Sequence, residues 1–367
     1  MVTLSVSEQN GLFKRKTALL KFILSYGVIQ THVFNAKIYS LESMDGAFAA
    51  LVLWLENNWI VASGLIIPAF YFLSGFSYFG SYTYASTLDK WKHRVFTLVI
   101  PWVCWNTVMW LFYIIVSRIP AISSHMNTAL DYQLSIRSWF VDGLLNSADG
   151  PMWFMLNLIV AVLLSPAIYT LIKNKYVGAA AILCGFVFVY FNNSGRYSIP
   201  VSTLFFAEAG YFAIHFRHLF LRRYSFPARL GALAILLLYM IFCSSPTLQN
   251  GGITHVLAFS VTSPAIWVLL GDSEMHPFTK KVDKYRFWMY CSHYFPLECV
   301  EKIILIVLGV SAGAALFDFI FAPVITMALL IAIGYLVKKF MPTVWAVLNG
   351  YIPPYRKDKP TVNHTEN

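Results

Sequence analysis

The sequence has little charge and no long polar stretch. Asp, Glu, Lys and Arg make up 12% of its 367 residues, roughly half the charged share of an average soluble domain. Hydrophobic residues make up 58% and come in long runs separated by short basic stretches. No polar stretch is long enough to form a separate soluble domain. This composition indicates a polytopic membrane protein.

Several sequence motifs are also missing. The five cysteines fall in apolar runs and none is spaced as Cys-x-x-Cys, so we expect neither structural disulfides nor a zinc site. No phosphate loop, zinc-ligand spacing or glycine-rich nucleotide motif occurs, which disfavours an ATPase or a metalloenzyme. We therefore expect no metal and no permanently bound cofactor. The net charge of +10 lacks an accompanying aromatic-basic RNA motif, so no nucleic-acid partner is expected.

The apolar runs are long enough for about ten transmembrane helices, since a helix needs about 20 apolar residues to cross the hydrocarbon core. The predicted spans are 17–38, 60–80, 95–116, 151–172, 177–193, 199–216, 228–245, 252–270, 287–309 and 313–337. A cytoplasmic N-terminus puts nearly all Lys and Arg clusters on the inside, in agreement with the positive-inside rule. An even number of spans returns the polar C-terminal tail to the same side. The sequence thus predicts an all-α, polytopic membrane helical bundle with both termini in the cytoplasm.

The predicted domain organisation follows from these spans. A cytoplasmic N-terminal segment covers residues 1–16, a single membrane domain covers 17–337, and a cytoplasmic tail covers 338–367. The longest predicted external segment, 117–149, lies between the third and fourth spans.

In the first predicted span the apolar stretch KFILSYGVIQTH contains a lysine and a histidine, Lys21 and His32. Eleven residues are close to three helical turns, so the two side chains lie within about 20° of one helix face and about 16 Å apart along the axis. A lone lysine could snorkel to the headgroups, and a lone buried histidine is usually a hydrogen-bonded core residue. Two such groups on one face favour a polar pocket within the membrane.

Further polar and aromatic residues accompany this pair. Arg94 begins the third span, where positive-inside anchoring would also explain it, and Trp153 lies at a span end, where an interfacial belt is the default role. His293 falls in the first two turns of the ninth span. Glu208 and Asp318 are predicted to be buried in the sixth and tenth spans, where each would need a partner.

Five short stretches of the chain form an ordered series of motifs. They are KFILSYGVIQTH with Lys21 and His32, FYFLSGFSYF with Ser74, KHRVFTLVIPWVCW with Arg94, GPMWFMLNLIVAVLLSP with Trp153, and FWMYCSHYF with His293. In this order they resemble the acyltransferase-3 family of bacterial membrane O-acyltransferases, over about residues 17–337. The chain departs from the family where many members have Arg instead of Lys21, a change that keeps the charge and loses the bidentate fork. It also lacks the Arg-x-Arg pair of some members, and we expect it to resemble the shorter members that have no fused esterase-like domain.

The resemblance implies an inner-membrane (plasma-membrane) enzyme that moves an acetyl group from cytoplasmic acetyl-CoA to a sugar hydroxyl. His32 would be the catalytic base or a covalent acyl relay, with Lys21 as its basic partner. Lys21 and Arg94 would hold the phosphates of CoA, and His293 is a weaker candidate for the same role. The resemblance also implies Ser74 and Trp153 as substrate-binding residues. The expected partners are acetyl-CoA, a glycan or lipid-linked sugar acceptor, and membrane lipids.

Two other functional classes are compatible with the sequence. The main alternative is a transporter or exporter that uses His32, Glu208 and Asp318 as a proton or substrate path, and another is a non-catalytic flippase partner. Positive charge gathered at the cytoplasmic mouth of a pocket suits a CoA site and has no evident use in a transporter. Within the enzyme hypothesis, a succinyl or longer acyl donor stays open.

Overall fold

The computed structural model of the chain describes residues 6–33, 35–119, 132–192, 198–243, 253–271 and 275–351. These residues form helices and turns, and no β-strand occurs among them. The all-α prediction is therefore confirmed for this part of the chain. Parts of the predicted external segment (120–131) and of the predicted C-terminal tail (352–367) lie outside the described residues.

The principal helices, numbered in chain order, are α1 Val6–Thr31, α2 Ala47–Ser63, α3 Ile66–Phe79, α4 Thr87–Arg94, α5 Ile100–Ser117, α6 Trp153–Leu163, α7 Ser165–Ile172, α8 Lys175–Phe191, α9 Ile199–His215, α10 Phe226–Cys243, α11 Ile253–Leu269, α12 Pro277–Asp283, α13 Arg286–Ser292, α14 Tyr294–Leu308, α15 Ala312–Phe340 and α16 Pro342–Leu348. A π-helical turn, Val95–Val99, joins α4 to α5.

Several of these helices have the length and composition of membrane spans. Tyr84–Ser117 with 34 residues and Ala312–Phe340 with 29 residues are long and apolar enough to cross a bilayer, and the pair α6–α7, bent by 61°, would make a third span. Four further apolar helices have 10–17 residues, namely Ile66–Phe79, Lys175–Phe191, Phe226–Ile241 and Ser260–Leu269. The structure therefore agrees with a helical membrane protein. The count of ten spans and the side on which each terminus lies stay predictions.

The first helix differs from its predicted bounds of 17–38. It begins at Val6 and ends at Thr31, where the amide of His32 donates to the carbonyl of Ile29 at 3.1 Å. This i→i−3 bond tightens the last turn, as is common at helix ends. His32 consequently lies at the end of α1 and not within it.

Two other predicted spans are interrupted. The fourth bends between α6 and α7, where Pro166 is the second residue of α7. The ninth is broken at His293, which separates α13 from α14. A break of this kind leaves backbone groups without helical hydrogen-bond partners. Polar side chains near the break can then supply the missing hydrogen bonds.

Helix α3 packs closely along α9 in the centre of the bundle. A Cβ atom on Gly75 would lie 2.3 Å from the carbonyl oxygen of Phe206, so only glycine fits at this crossing. The hydroxyl of Tyr71 donates to the carbonyl of Phe154 at 3.1 Å, and those of Tyr78 and Ser165 are 3.0 Å apart. These bonds link α3 to α6 and α7.

The C-terminal part of the described chain folds back onto the bundle. Helix α15 ends at Phe340 and α16 follows it. Trp345 is buried with its ring centre 5.4 Å from that of Trp288. The indole N–H of Trp105 donates to the carbonyl of Leu348 at 3.0 Å. Residues that follow position 337 thus pack against α5 and α13.

Replacement of Gly75 by alanine tests the close approach of α3 and α9. Gly75→Ala is expected to lower the free energy of unfolding by about 1–3 kcal/mol, because the backbone of α9 must move away from the added methyl group. Gly231→Ala is the control, because a Cβ there meets nothing within 4 Å, and it is expected to stabilise its helix by up to about 1 kcal/mol. Thermal unfolding in detergent measures both, and equal melting of Gly75→Ala and wild type would contradict the packing.

Candidate functional site

The structure brings His32 and His293 together. Their ring centres are 5.2 Å apart with an interplanar angle of 45°. Tyr294 adds a third ring, whose centre lies 5.3 Å from that of His32 in an edge-on arrangement. His32 is exposed whereas His293 is fully buried. The end of α1 and the start of α14 therefore form one site with a buried side and an open side.

The break between α13 and α14 fixes the orientation of His293. Its Nδ1 lies 2.7 Å from the backbone carbonyl oxygen of Tyr290. Because a carbonyl only accepts, Nδ1 must carry the proton, and in the neutral ring Nε2 then has the lone pair. Nε2 is buried and has no hydrogen-bond partner among the described residues.

A second group of side chains is positively charged and lies around Lys21, about three turns before His32 in the chain. Lys21 lies within electrostatic range of Arg94 and Arg286 and of one carboxylate, Asp283. Arg286 forms an ion pair with Asp283 three residues earlier. We call Lys21, Arg94 and Arg286 the basic cluster. Like charges held together repel one another, so such a cluster favours an anionic ligand.

A small cavity of about 260 Å³ has one member of the basic cluster, Arg94, in its lining, together with the carboxylate of Asp89. Lys90 and Arg94 line it and both lie over the ring of Tyr78, at 5.0 and 5.8 Å from its centre. The ammonium of Lys90 also donates to the carbonyl of Tyr78 at 3.2 Å and to Ser81 Oγ at 3.1 Å. Lys90 thus lies beside Arg94 at this cavity, with its ammonium held by protein groups.

The predicted substrate-binding residues lie on two different helices. Trp153 is the first residue of α6, and its ring centre is 6.4 Å from that of Phe154. Phe154 in turn contacts Tyr290, the residue whose carbonyl holds His293, with ring centres 6.2 Å apart. Ser74 is half-buried on α3, next to Gly75. Their roles in substrate binding stay predictions.

Asp318 lies in a buried polar cluster with Asn35, three residues after His32 in the chain. Asn35 donates to its carboxylate at 2.8 Å, and both residues are fully buried. Tyr39, Glu56 and Glu301 lie within electrostatic range of Asp318. Glu208 lies on α9 and accepts a hydrogen bond from Ser260 of α11 at 2.8 Å. Asp318 and Glu208, which were predicted to need partners, thus have them, and they belong to two separate polar contacts.

Two residues of the site were missed by reasoning from the sequence. Arg286 stands in the basic stretch 280–286 and was indistinguishable from its neighbours, because only the packing of α13 on α1 brings it to Lys21. Tyr294 follows His293 directly, but its contact with His32 depends on the helix break. The stretch FWMYCSHYF contained both a histidine and this tyrosine, and only the histidine was singled out.

Residues 18–349 match the acyltransferase-3 family (Acyl_transf_3, acyltransferase domain). The match includes all of α2 to α16 and every residue of the two groups described above. Comparison with curated proteins and with solved structures finds no match.

The Asn35–Asp318 contact makes a stability prediction. Asn35→Ala is expected to lower the free energy of unfolding by about 1–3 kcal/mol, because a buried carboxyl group loses its hydrogen-bond donor. Asn192→Ala removes an exposed hydrogen bond from an asparagine amide to the Phe188 backbone carbonyl, and should leave the melting temperature nearly unchanged. Thermal unfolding in detergent compares the two variants, and equal effects would show that the buried pair contributes no more than the exposed bond.

Proposed function

The chain belongs to the acyltransferase-3 family, and from that premise we propose that it is an inner-membrane O-acyltransferase that moves an acetyl group from cytoplasmic acetyl-CoA to a hydroxyl of an envelope or exported glycan. The observation that carries the proposal is the arrangement along α1, with the basic cluster at Lys21 and the paired histidines at His32. The basic cluster suits a polyanionic acyl donor, and the paired histidines suit proton transfer or nucleophilic attack.

The basic cluster supports binding of a CoA donor. CoA carries several phosphate groups, and lysine and arginine side chains are their usual protein ligands. Lys21, Arg94 and Arg286 come from three separate elements, α1, α4 and α13. A phosphate placed among them would relieve the repulsion between the three positive charges. The thioester would then extend along α1 towards His32, about 16 Å away by the helical rise.

The proposed chemistry at His32 follows one of two routes. As a general base, His32 takes the proton of the acceptor hydroxyl while the hydroxyl oxygen attacks the thioester carbonyl. The C–S bond breaks, and His32 passes the proton to the departing CoA thiolate. As a relay, a His32 nitrogen attacks the carbonyl and the thiolate leaves. The acceptor oxygen then takes the acetyl group from His32, and the hydroxyl proton is released. Both routes need a neutral His32 with one nitrogen free.

The acceptor side is proposed to lie on the open side of His32. Sugar rings bind to aromatic faces and hydrogen-bonding side chains, and Trp153 and Ser74 are the proposed contacts. Lipopolysaccharide O-antigen, an exopolysaccharide or a lipid-linked oligosaccharide would present suitable hydroxyls. An acetyl donor is the proposal, and a succinyl donor is its nearest competitor.

The transporter alternative receives less support from the contacts. It would use His32, Glu208 and Asp318 as one path, but the hydrogen bond of Glu208 goes to Ser260. Among the described residues no hydrogen bond or ring contact joins Glu208 to His32. A proton path would also leave the basic cluster without a role.

Transfer of label from radiolabelled acetyl-CoA tests the proposed function. Membranes with wild-type protein should label the glycan fraction, and His32→Ala should lower the labelling at least a hundredfold, because a positioned base or nucleophile contributes about 10²–10⁴ in rate. The exposed His218→Ala is the matched control and should label like wild type. Equal labelling by His32→Ala would remove His32 from the chemistry. No labelling by the wild type, with the host's glycans and several acyl-CoA donors present, would favour the transporter.

The donor contact of Lys21 makes a separate kinetic prediction. Lys21→Ala is expected to raise the KM for acetyl-CoA about tenfold or more, because a charged hydrogen bond contributes about 1.5–3 kcal/mol. Lys21→Arg should keep most of the affinity, and Lys14→Ala, an exposed charge on the same helix, should keep all of it. Initial rates at varied acetyl-CoA concentration measure the effect. A lower kcat at unchanged KM would instead assign Lys21 to the chemical step.

A further inference from the structure

We propose that His293 is a positioning residue for His32. In this role the buried Nε2 of His293 accepts a hydrogen bond from a ring N–H of His32. The inference rests on the proposed function and assigns His293 a task at the reacting end of the site. The sequence had suggested a different task for it, contact with the CoA phosphates.

The burial and protonation of His293 argue against that earlier role. The side chain is 0% exposed, and its only ring proton in the neutral form points to the Tyr290 carbonyl. The nitrogen that remains, Nε2, is an acceptor. Phosphate oxygens are also acceptors, so this nitrogen cannot bind them and needs a donor instead.

His32 is placed to supply that donor. The rings have a centre-to-centre distance of 5.2 Å, and rings at this separation can bring one nitrogen of each to about 3 Å, an ordinary hydrogen-bond distance, when they turn towards each other. The side chain of His32 makes no hydrogen bond to the described residues and is exposed, so its ring can turn. Tyr294 packs edge-on against it at 5.3 Å and limits that rotation.

A buried acceptor without a donor destabilises the folded state, because it has lost its hydrogen bonds to water and gained none in return. Among the described residues Nε2 of His293 has no partner, although its own ring is held by the Tyr290 carbonyl. A hydrogen bond from His32 would satisfy it. The structure therefore contains a vacant acceptor beside the proposed reacting group.

The hydrogen bond would act in both routes of the proposed reaction. With one His32 nitrogen donating to His293, the other nitrogen keeps its lone pair and faces the open side of the site. When that nitrogen takes the acceptor's proton, or forms a bond to the acetyl carbon as the C–S bond breaks, the His32 ring becomes positively charged. The N–H bound to His293 Nε2 then stabilises this charge, and no proton needs to move to His293.

Two amide substitutions separate positioning from structural support. Asparagine at 293 can still donate to the Tyr290 carbonyl near the place of Nδ1, but it has no acceptor at the place of Nε2. Glutamine can put an amide oxygen near the place of Nε2 and loses the bond to Tyr290. The experiment measures kcat and KM for radiolabelled acetyl-CoA in membranes with wild type, His293→Asn, His293→Gln and His32→Ala, with melting temperatures of the purified variants alongside.

The positioning role predicts that His293→Asn lowers kcat at least tenfold at unchanged KM, by analogy with metal-ligating histidines, where loss of the orienting partner costs about 10–100-fold. It also predicts that His293→Gln recovers part of this loss. A structural role predicts the reverse order, with Gln worse than Asn in both rate and melting temperature. A CoA contact predicts a raised KM. Either of these results would overturn the inference while His32→Ala remains inactive and the proposed function stands. No transfer by wild type would overturn the proposed function itself.

Discussion

The carbonyl group of Tyr290 has to be hydrogen-bonded in the apolar interior where it lies, but its helix, α13, ends two residues later at Ser292. An unsatisfied carbonyl in such a place costs free energy comparable to a lost hydrogen bond. The His293 ring, and not the amide of the next turn, supplies the donor at 2.7 Å. That one bond fixes the protonated nitrogen of His293 and leaves Nε2 as the acceptor of the ring. The next residue, Tyr294, begins α14 and packs against His32.

Helix α1 connects the histidine site to the basic cluster, because Lys21 lies on the helix and His32 follows its last residue. Its position is fixed at the end near His32 by a hydrogen bond from the Gln30 amide to the carbonyl of Phe319 in α15, at 2.7 Å. A helix is a stiff spacer with a constant rise per residue, so the distance between Lys21 and His32 is set by the chain itself. A reaction whose donor is long and anionic at one end can use such a spacer, because anchoring of the phosphates also places the thioester.

The sequence predicts the approximate spacing of Lys21 and His32 because ten of the eleven steps between them lie in one helix, which ends at Thr31. It does not predict the bounds of α1, since hydropathy follows apolar composition: residues 6–16 are helical although charged, and the apolar run continues to Ile38 although the helix ends at Thr31. The pairing of His293 with His32 depends on a helix break, which local patterns do not encode. Arg286 was hidden among other basic residues for the same reason, because its place depends on tertiary packing.

A structure of the protein with bound CoA, determined by electron cryomicroscopy in a lipid environment, would test the central claim most directly. Phosphate groups are expected within ion-pair distance of Lys21 and Arg286, with the chain of CoA running along α1 and the thiol beside the ring of His32. The His32 ring is expected to turn its N–H towards His293 Nε2. Phosphates bound away from the basic cluster, or a thiol remote from both histidines, would contradict the claim.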